Sequence, residues 1–146
     1  MEIHVKRLSD HAKLPVYATE GSAGMDLSAC LDTAVELLPG DRVFIPTGIC
    51  VQVTGEDAVG LVFARSGLAT RHGITLANGV GVIDSDYIGE IICALINLGD
   101  APYTIQPGDR IAQLVFVPVY CGKVVEVDQL VPTIRGDGGF GSTGVR

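Results

Sequence analysis

The chain has 146 residues, 47% of them hydrophobic, with only 18% charged and a formal net charge of −7, so one domain with a substantial core is expected. The acidic balance and a pI near 4.7 argue against a general polyanion-binding surface and leave only a small nucleotide held by a few local cations as nucleic-acid chemistry. The longest purely apolar run, residues 91–96, is too short to span a bilayer, while 19 Gly, 7 Pro and abundant Val, Ile and Thr point to an all-β chain with many turns.

The first predicted strand, residues 3–8, alternates through His4-Val5-Lys6. Strands are next expected at 33–37, 43–49 and 58–64. Pro39-Gly40-Asp41-Arg42 lies between the first two, and Pro107-Gly108-Asp109-Arg110 repeats it later in the chain. Pro followed by Gly at the centre of each predicts a type II turn. Arg65-Ser66-Gly67 comes directly after the 58–64 strand and opens a short predicted helix near 66–71. A guanidinium, a hydroxyl and accessible backbone amides at one corner are groups that hold phosphate; an ordinary solvated turn is the alternative.

After a strand at 74–76 comes the most informative stretch, Asn78-Gly79-Val80-Gly81-Val82-Ile83-Asp84-Ser85-Asp86-Tyr87. Asn-Gly predicts a tight hairpin that presents backbone groups able to read a base edge. Strand alternation would put Asp84 and Asp86 on one face, as two carboxylates near a substrate or as a solvated acidic turn. Strands at 91–98 and 110–119 contain nearly continuous apolar runs and should be buried on both faces. Within the second, alternation pairs Arg110 with Ala112 and Ile111 with Gln113. A half-buried Gln113 needs a partner, either backbone or a ligand oxygen. A final strand is expected at 123–127. Residues 135–146 hold five glycines with Arg135, Phe140, Ser142 and Thr143, the composition of a disordered tail or of one that orders over a nucleotide.

Cys30, Cys50, Cys93 and Cys121 form no C-x-x-C, and His4, His11 and His72 form no metal-ligand cluster. Four reduced thiols and no zinc are therefore expected. The opening residues lack the pattern of a secretory leader, so a cytoplasmic protein is expected. The fold expected from these elements is a β-sandwich or jelly-roll barrel.

Ala23-Gly24-Met25-Asp26-Leu27, Ala64-Arg65-Ser66-Gly67-Leu68-Ala69, Asn78 through Glu90, Gly108-Asp109-Arg110-Ile111-Ala112-Gln113-Leu114 and the Gly-rich tail resemble, in order, the five motifs of the trimeric deoxyuridine triphosphatase (dUTPase) family. Met25 and Ile88 stand where the family often has other residues, and neither is a catalytic position. The resemblance implies a jelly-roll homotrimer with sites shared between subunits. Residues 1–134 would form the jelly-roll domain and 135–146 a flexible arm that closes over the active site. The implied reaction is hydrolysis of dUTP to dUMP and pyrophosphate with Mg²⁺, which limits uracil in DNA and supplies dUMP for dTMP synthesis.

By the same resemblance, Asp84 would activate the attacking water and Asp26 would position Mg²⁺ through coordinated water. Arg65, Ser66, Gly67 and Gln113 would hold phosphates, Arg135, Ser142 and Thr143 would close over the γ end, and Gly141 would also bind substrate. Asn78, Gly81 and Ile83 would match uracil, Tyr87 would stack on the sugar, and Phe140 would cover the base. Neither stable nucleic-acid binding nor membrane association is implied. A dCTP deaminase is the chemical alternative, but those enzymes resemble R-S-S at Arg65-Ser66-Gly67 and use a Glu near the base. A non-catalytic trimeric nucleotide-binding protein is the other, and intact Asp26 and Asp84 argue against it.

Overall fold

The computed structural model describes residues 2–54 and 58–139. Among them are eleven strands and one short helix: β1 (Glu2–Arg7), β2 (Val16–Tyr17), β3 (Met25–Ser28), β4 (Val35–Leu37), β5 (Arg42–Thr54), β6 (Ala58–Ala64), α1 (Ser66–His72), β7 (Ile74–Leu76), β8 (Gly81–Ile83), β9 (Glu90–Asn97), β10 (Tyr103–Ile105) and β11 (Arg110–Pro118). One sheet runs β1-β5-β9-β7 and another β2-β3-β11-β6-β8, with β4 and β10 forming a separate ribbon. Ile45, Ile91 and Leu95 of the first sheet share one core with Leu27, Val62 and Leu114 of the second. The result is the all-β jelly roll expected from the sequence. Among the described residues no helix is long and apolar enough to cross a membrane.

The two Pro-Gly-Asp-Arg turns have the same construction. Gly40 and Gly108 take φ of +86° and +81°, the left-handed region a type II turn demands at its third position. The amides of Asp41 and Asp109 donate to Leu38 O and Gln106 O at 3.0 and 3.1 Å. Each Asp carboxylate then accepts from the amide that opens its turn, Leu38 N at 3.1 Å and Gln106 N at 2.8 Å.

Three expectations are corrected. Residues 123–127 form no strand; Val124 is 93% exposed, because alternation signals propensity while a strand also needs a partner edge. In β9, burial alternates: Ile91, Cys93 and Leu95 are buried whereas Ile92 is half exposed. Its second apolar face is thus left open, beside Phe44 of β5, the register partner of Ala94 and itself 75% exposed. Finally, β5 continues to Thr54 through a register shift between Pro46 and Cys50, and its second half pairs with β1.

All four cysteines are free. Burial pushes the Cys93 thiol from its ordinary value of 9.0 up to about 12. Below pH 9 the thiol is protonated whether the chain is folded or not, so it adds no pH dependence. From pH 9 towards 12 only the unfolded thiol loses its proton, and folding stability must fall. Denaturant titrations of wild type and Cys93→Ala at pH 8 and pH 10.5 should show the wild type losing more stability than the variant; equal losses would refute the assignment.

Candidate functional site

The first cluster gathers where β3, β6 and β11 lie side by side. Asp26 of β3 is the cross-strand partner of Gln113 on β11, and Arg65 follows the last residue of β6. These side chains, with Ser66, Gly67 and Gly24, line a cavity of about 490 Å³. The Asp26 carboxylate is 11% exposed and bridges two guanidiniums, accepting from Arg65 Nε at Oδ1 and from Arg110 Nη1 at Oδ2, each at 2.9 Å. Arg65 Nη1 also donates to Arg110 O at 3.1 Å. Two cations against one carboxylate leave the cluster locally positive in a chain of net charge −7, as an anion site requires.

Strand alternation alone did not foresee Arg110 in this cluster. A β-bulge between Arg110 and Ala112 breaks the period of two. It buries Ile111 and Ala112 consecutively and turns Arg110 onto the face of Asp26 and Gln113. The expected pairing of Gln113 with Ile111 is therefore wrong. Gln113 Nε2 donates to Ala64 O at 3.1 Å, which supplies the backbone partner, and among the described residues its second N–H has no acceptor.

Asp26 is suited to hydrogen-bonding the water shell of a cation rather than to direct ligation, since an arginine already engages each of its oxygens. Among the described residues no group of three or more His, Cys, Asp or Glu could cage a metal ion. A Mg²⁺ held chiefly by phosphate oxygens and water, with Asp26 outside that shell, fits this donor set.

The second cluster surrounds a cavity of about 260 Å³. Asn78, Gly81, Val82, Ile83, Asp84 and Tyr87 form one side, with Val62, Leu76 and residues 91–94 behind them. The Asn78-Gly79 turn is not a hairpin: β7 pairs with β9 and β8 with β6, so the turn carries the chain from one sheet to the other. β8 is the edge of its sheet, which leaves backbone donors and acceptors of Gly81–Ile83 for an outside partner. That is the means by which a strand reads a planar base edge.

Asp84 follows the last residue of β8 and opens a tight turn in which Tyr87 N donates to Asp84 O at 3.1 Å. Asp84 and Asp86 consequently do not alternate along a strand, contrary to expectation, and only Asp84 lines the cavity. Tyr87 Oη donates to Glu90 O at 2.8 Å. The ring also lies so close over Gly89 that a Cβ there would fall 2.5 Å from Tyr87 Oη. The phenol is thus fixed at the cavity wall.

The two cavities share no lining residue. Arg135 lies apart from both and donates locally to Gly138 O at 3.0 Å. Phe140, Gly141, Ser142 and Thr143 are outside the described residues. Of the two departures, Met25 is in the core and Ile88 is exposed.

The dUTPase family model matches residues 10–144. The deoxyuridine 5'-triphosphate nucleotidohydrolase of Desulfitobacterium hafniense is 56% identical over 91% of this chain and 88% of its own. That of Shewanella amazonensis is 49% identical over 100% and 96%. Among solved structures, a Staphylococcus bacteriophage 80alpha dUTPase mutant with dUpNHpp aligns with a TM-score of 0.89 at 28% identity over 99% of each chain. A mutant dUTPase from phage phi11 of S. aureus, with a structural Mg(II) ion, aligns at 0.79 with 26% identity over 88% of this chain and 98% of its own.

Proposed function

This chain belongs to the dUTPase family and is an enzyme that hydrolyses dUTP; on that premise we propose that Asp84 activates the water that attacks the α-phosphorus, releasing dUMP and pyrophosphate. The observation that carries this reading is the Asp84 carboxylate at the rim of a base-sized cavity whose wall is the edge of β8; Glu90, the other carboxylate in the lining, already accepts from Gly48 N at 2.7 Å. A carboxylate there orients the water and accepts its proton as the new P–O bond forms. Asn78 and the backbone of Gly81 and Ile83 match uracil, and cytosine would leave polar groups mispaired.

Arg65, Ser66, Gly67, Gln113 and the newly found Arg110 hold the phosphate chain. Bound Mg²⁺ would supply neutralisation of charge on the departing pyrophosphate. Asp26 keeps both arginines aimed and accepts hydrogen bonds from the ion's water shell. The arm, residues 135–146, closes with Arg135, Ser142 and Thr143 over the γ end and Phe140 over the base, with Gly141 also binding substrate, beyond the 1–134 domain.

We assign the active form to a homotrimer whose sites are built from more than one subunit. Three features support it: the disjoint cavities, the open apolar face of β9 beside Phe44, and an exposed apolar run after β11 that includes Tyr120, Val124, Leu130 and Val131. Another copy of the chain would cover such surfaces. Four free thiols suit a reducing compartment, and we place the enzyme in the cytoplasm.

Tyr87 excludes ribonucleotides by occupying the space of a 2′-hydroxyl. With Mg²⁺, the wild type should release pyrophosphate from dUTP, turn over UTP and dTTP at least ~100-fold less efficiently, and release no ammonia from dCTP. Tyr87→Ala should cut discrimination against UTP by roughly tenfold or more. Ammonia from dCTP would favour the deaminase reading, and unchanged dUTP/UTP selectivity would refute the gate.

A further inference from the structure

The helix α1 starts at Ser66, immediately after Arg65, yet carries no buried residue and no side-chain cap at its first turn. Only Leu68 packs partly against the core. A seven-residue helix is too short to be stable alone, so its direction must be set where its ends are held.

Its far end is held tightly. The Gly73 amide closes the helix onto Ala69 O at 3.1 Å, and Gly73 O accepts from Leu98 N at 2.9 Å. A Cβ on Gly73 would fall 2.1 Å from Gly99 N, and one on Gly99 would fall 2.6 Å from His72 O. The two backbones therefore touch at a point that tolerates no side chain. The opposing loop is itself fixed by buried Asn97, which donates to Leu37 O at 3.0 Å and Ala101 O at 2.9 Å and accepts from Gly99 N at 2.9 Å. Beside this contact the rings of His72 and Tyr103 lie 4.9 Å apart at 45°.

We propose that His72 and Tyr103 are positioning residues: their ring contact, set against the Gly73–Gly99 backbone contact, fixes α1 so that Arg65, Ser66 and Gly67 at its other end meet the phosphate chain. The proposal rests on the phosphate role of that tripeptide given above. Inside the helix, Thr70 Oγ1 donates to Ser66 O at 2.7 Å and Ala69 N to Arg65 O at 3.0 Å, so its two turns are tied together and a shift at the far end reaches Arg65 and Ser66. Tyr103 also lies within the field of the site. Burial raises its phenol above the ordinary range, Asp109 adds to that rise, and Arg65 opposes it. Displacement of phosphate-binding groups by about 1 Å is enough to cost ~100-fold in rate.

The test compares His72→Ala, Tyr103→Leu and Tyr103→Phe with wild type. The first two should lower kcat/KM for dUTP and affinity for a non-hydrolysable dUTP analogue by about tenfold, leave binding of phosphate-free 2′-deoxyuridine within about twofold, and accelerate amide hydrogen exchange across residues 66–73. Tyr103→Phe keeps the ring contact and should recover most of both losses. Wild-type kinetics in Tyr103→Leu, or an equal loss of 2′-deoxyuridine binding, would overturn the proposal. If wild type itself fails to hydrolyse dUTP, the functional reading falls, while exchange at residues 66–73 still decides whether the ring contact holds the helix.

Discussion

Asp84→Asn should lower kcat for dUTP by about 10³-fold while the affinity for a non-hydrolysable analogue stays within a few-fold of wild type. General-base catalysis contributes ~10²–10⁴-fold, and the amide keeps the shape of the carboxylate but cannot take the proton of water. Folding is not at stake. Asp84 is exposed in the single chain and, among the described residues, its side chain makes no hydrogen bond; only its backbone oxygen serves the turn to Tyr87. Asp86 provides the control, since it occupies the same turn without lining the cavity. Asp86→Asn should turn over dUTP at a near-normal rate. Single-turnover kinetics with titration calorimetry would check both variants, and near-normal turnover by Asp84→Asn would remove it from its assigned role.

Deletion of residues 135–146 should leave a folded trimer whose turnover is reduced by roughly 100-fold or more, with a melting temperature within about 2 °C of wild type. Among the described residues the last strand ends at Pro118, and the bonds of Arg135, Gly136 and Gly138 reach no further than Thr133, so residues 135–139 make no hydrogen bond to the core. The lost groups are the cation and hydroxyls of Arg135, Ser142 and Thr143, which a closing segment would bring to the triphosphate. Co-expression of truncated chains with full-length Asp84→Asn chains supplies intact arms on one subunit and intact carboxylates on another. Mixed trimers should then regain part of the activity. Formation of mixed trimers without recovery would contradict shared sites, and unfolding on truncation would contradict an arm independent of the core.

Local chemistry was the most legible part of the fold. Both Pro-Gly-Asp-Arg turns, β6, β7 and the helix after Arg65 follow from residues adjacent in sequence. Pairing was not legible. The alternating residues 123–127 found no partner edge, whereas β3 and β8, only four and three residues long, form because β11 and β6 offer them one. Their brevity and the polar Asp26 in β3 hid them from any pattern of apolar residues.

At the site, Arg65-Ser66-Gly67 and Asn78 through Tyr87 could be singled out by composition. Their roles came from resemblance to a family, since a turn that holds phosphate and one that faces water have the same residues. Arg110 escaped because its placement depends on a bulge, an extra residue in one strand relative to its partner that no single-strand periodicity reveals. The Gly73–Gly99 contact joins segments distant in sequence and likewise has no local signature.

Hydrolysis of dUTP in ¹⁸O-labelled water with Mg²⁺, followed by mass spectrometry of both products, decides which phosphorus the water attacks. Attack at the α-phosphorus beside Asp84 places one ¹⁸O in dUMP and none in pyrophosphate. Label in pyrophosphate, or release of orthophosphate in place of pyrophosphate, would contradict it.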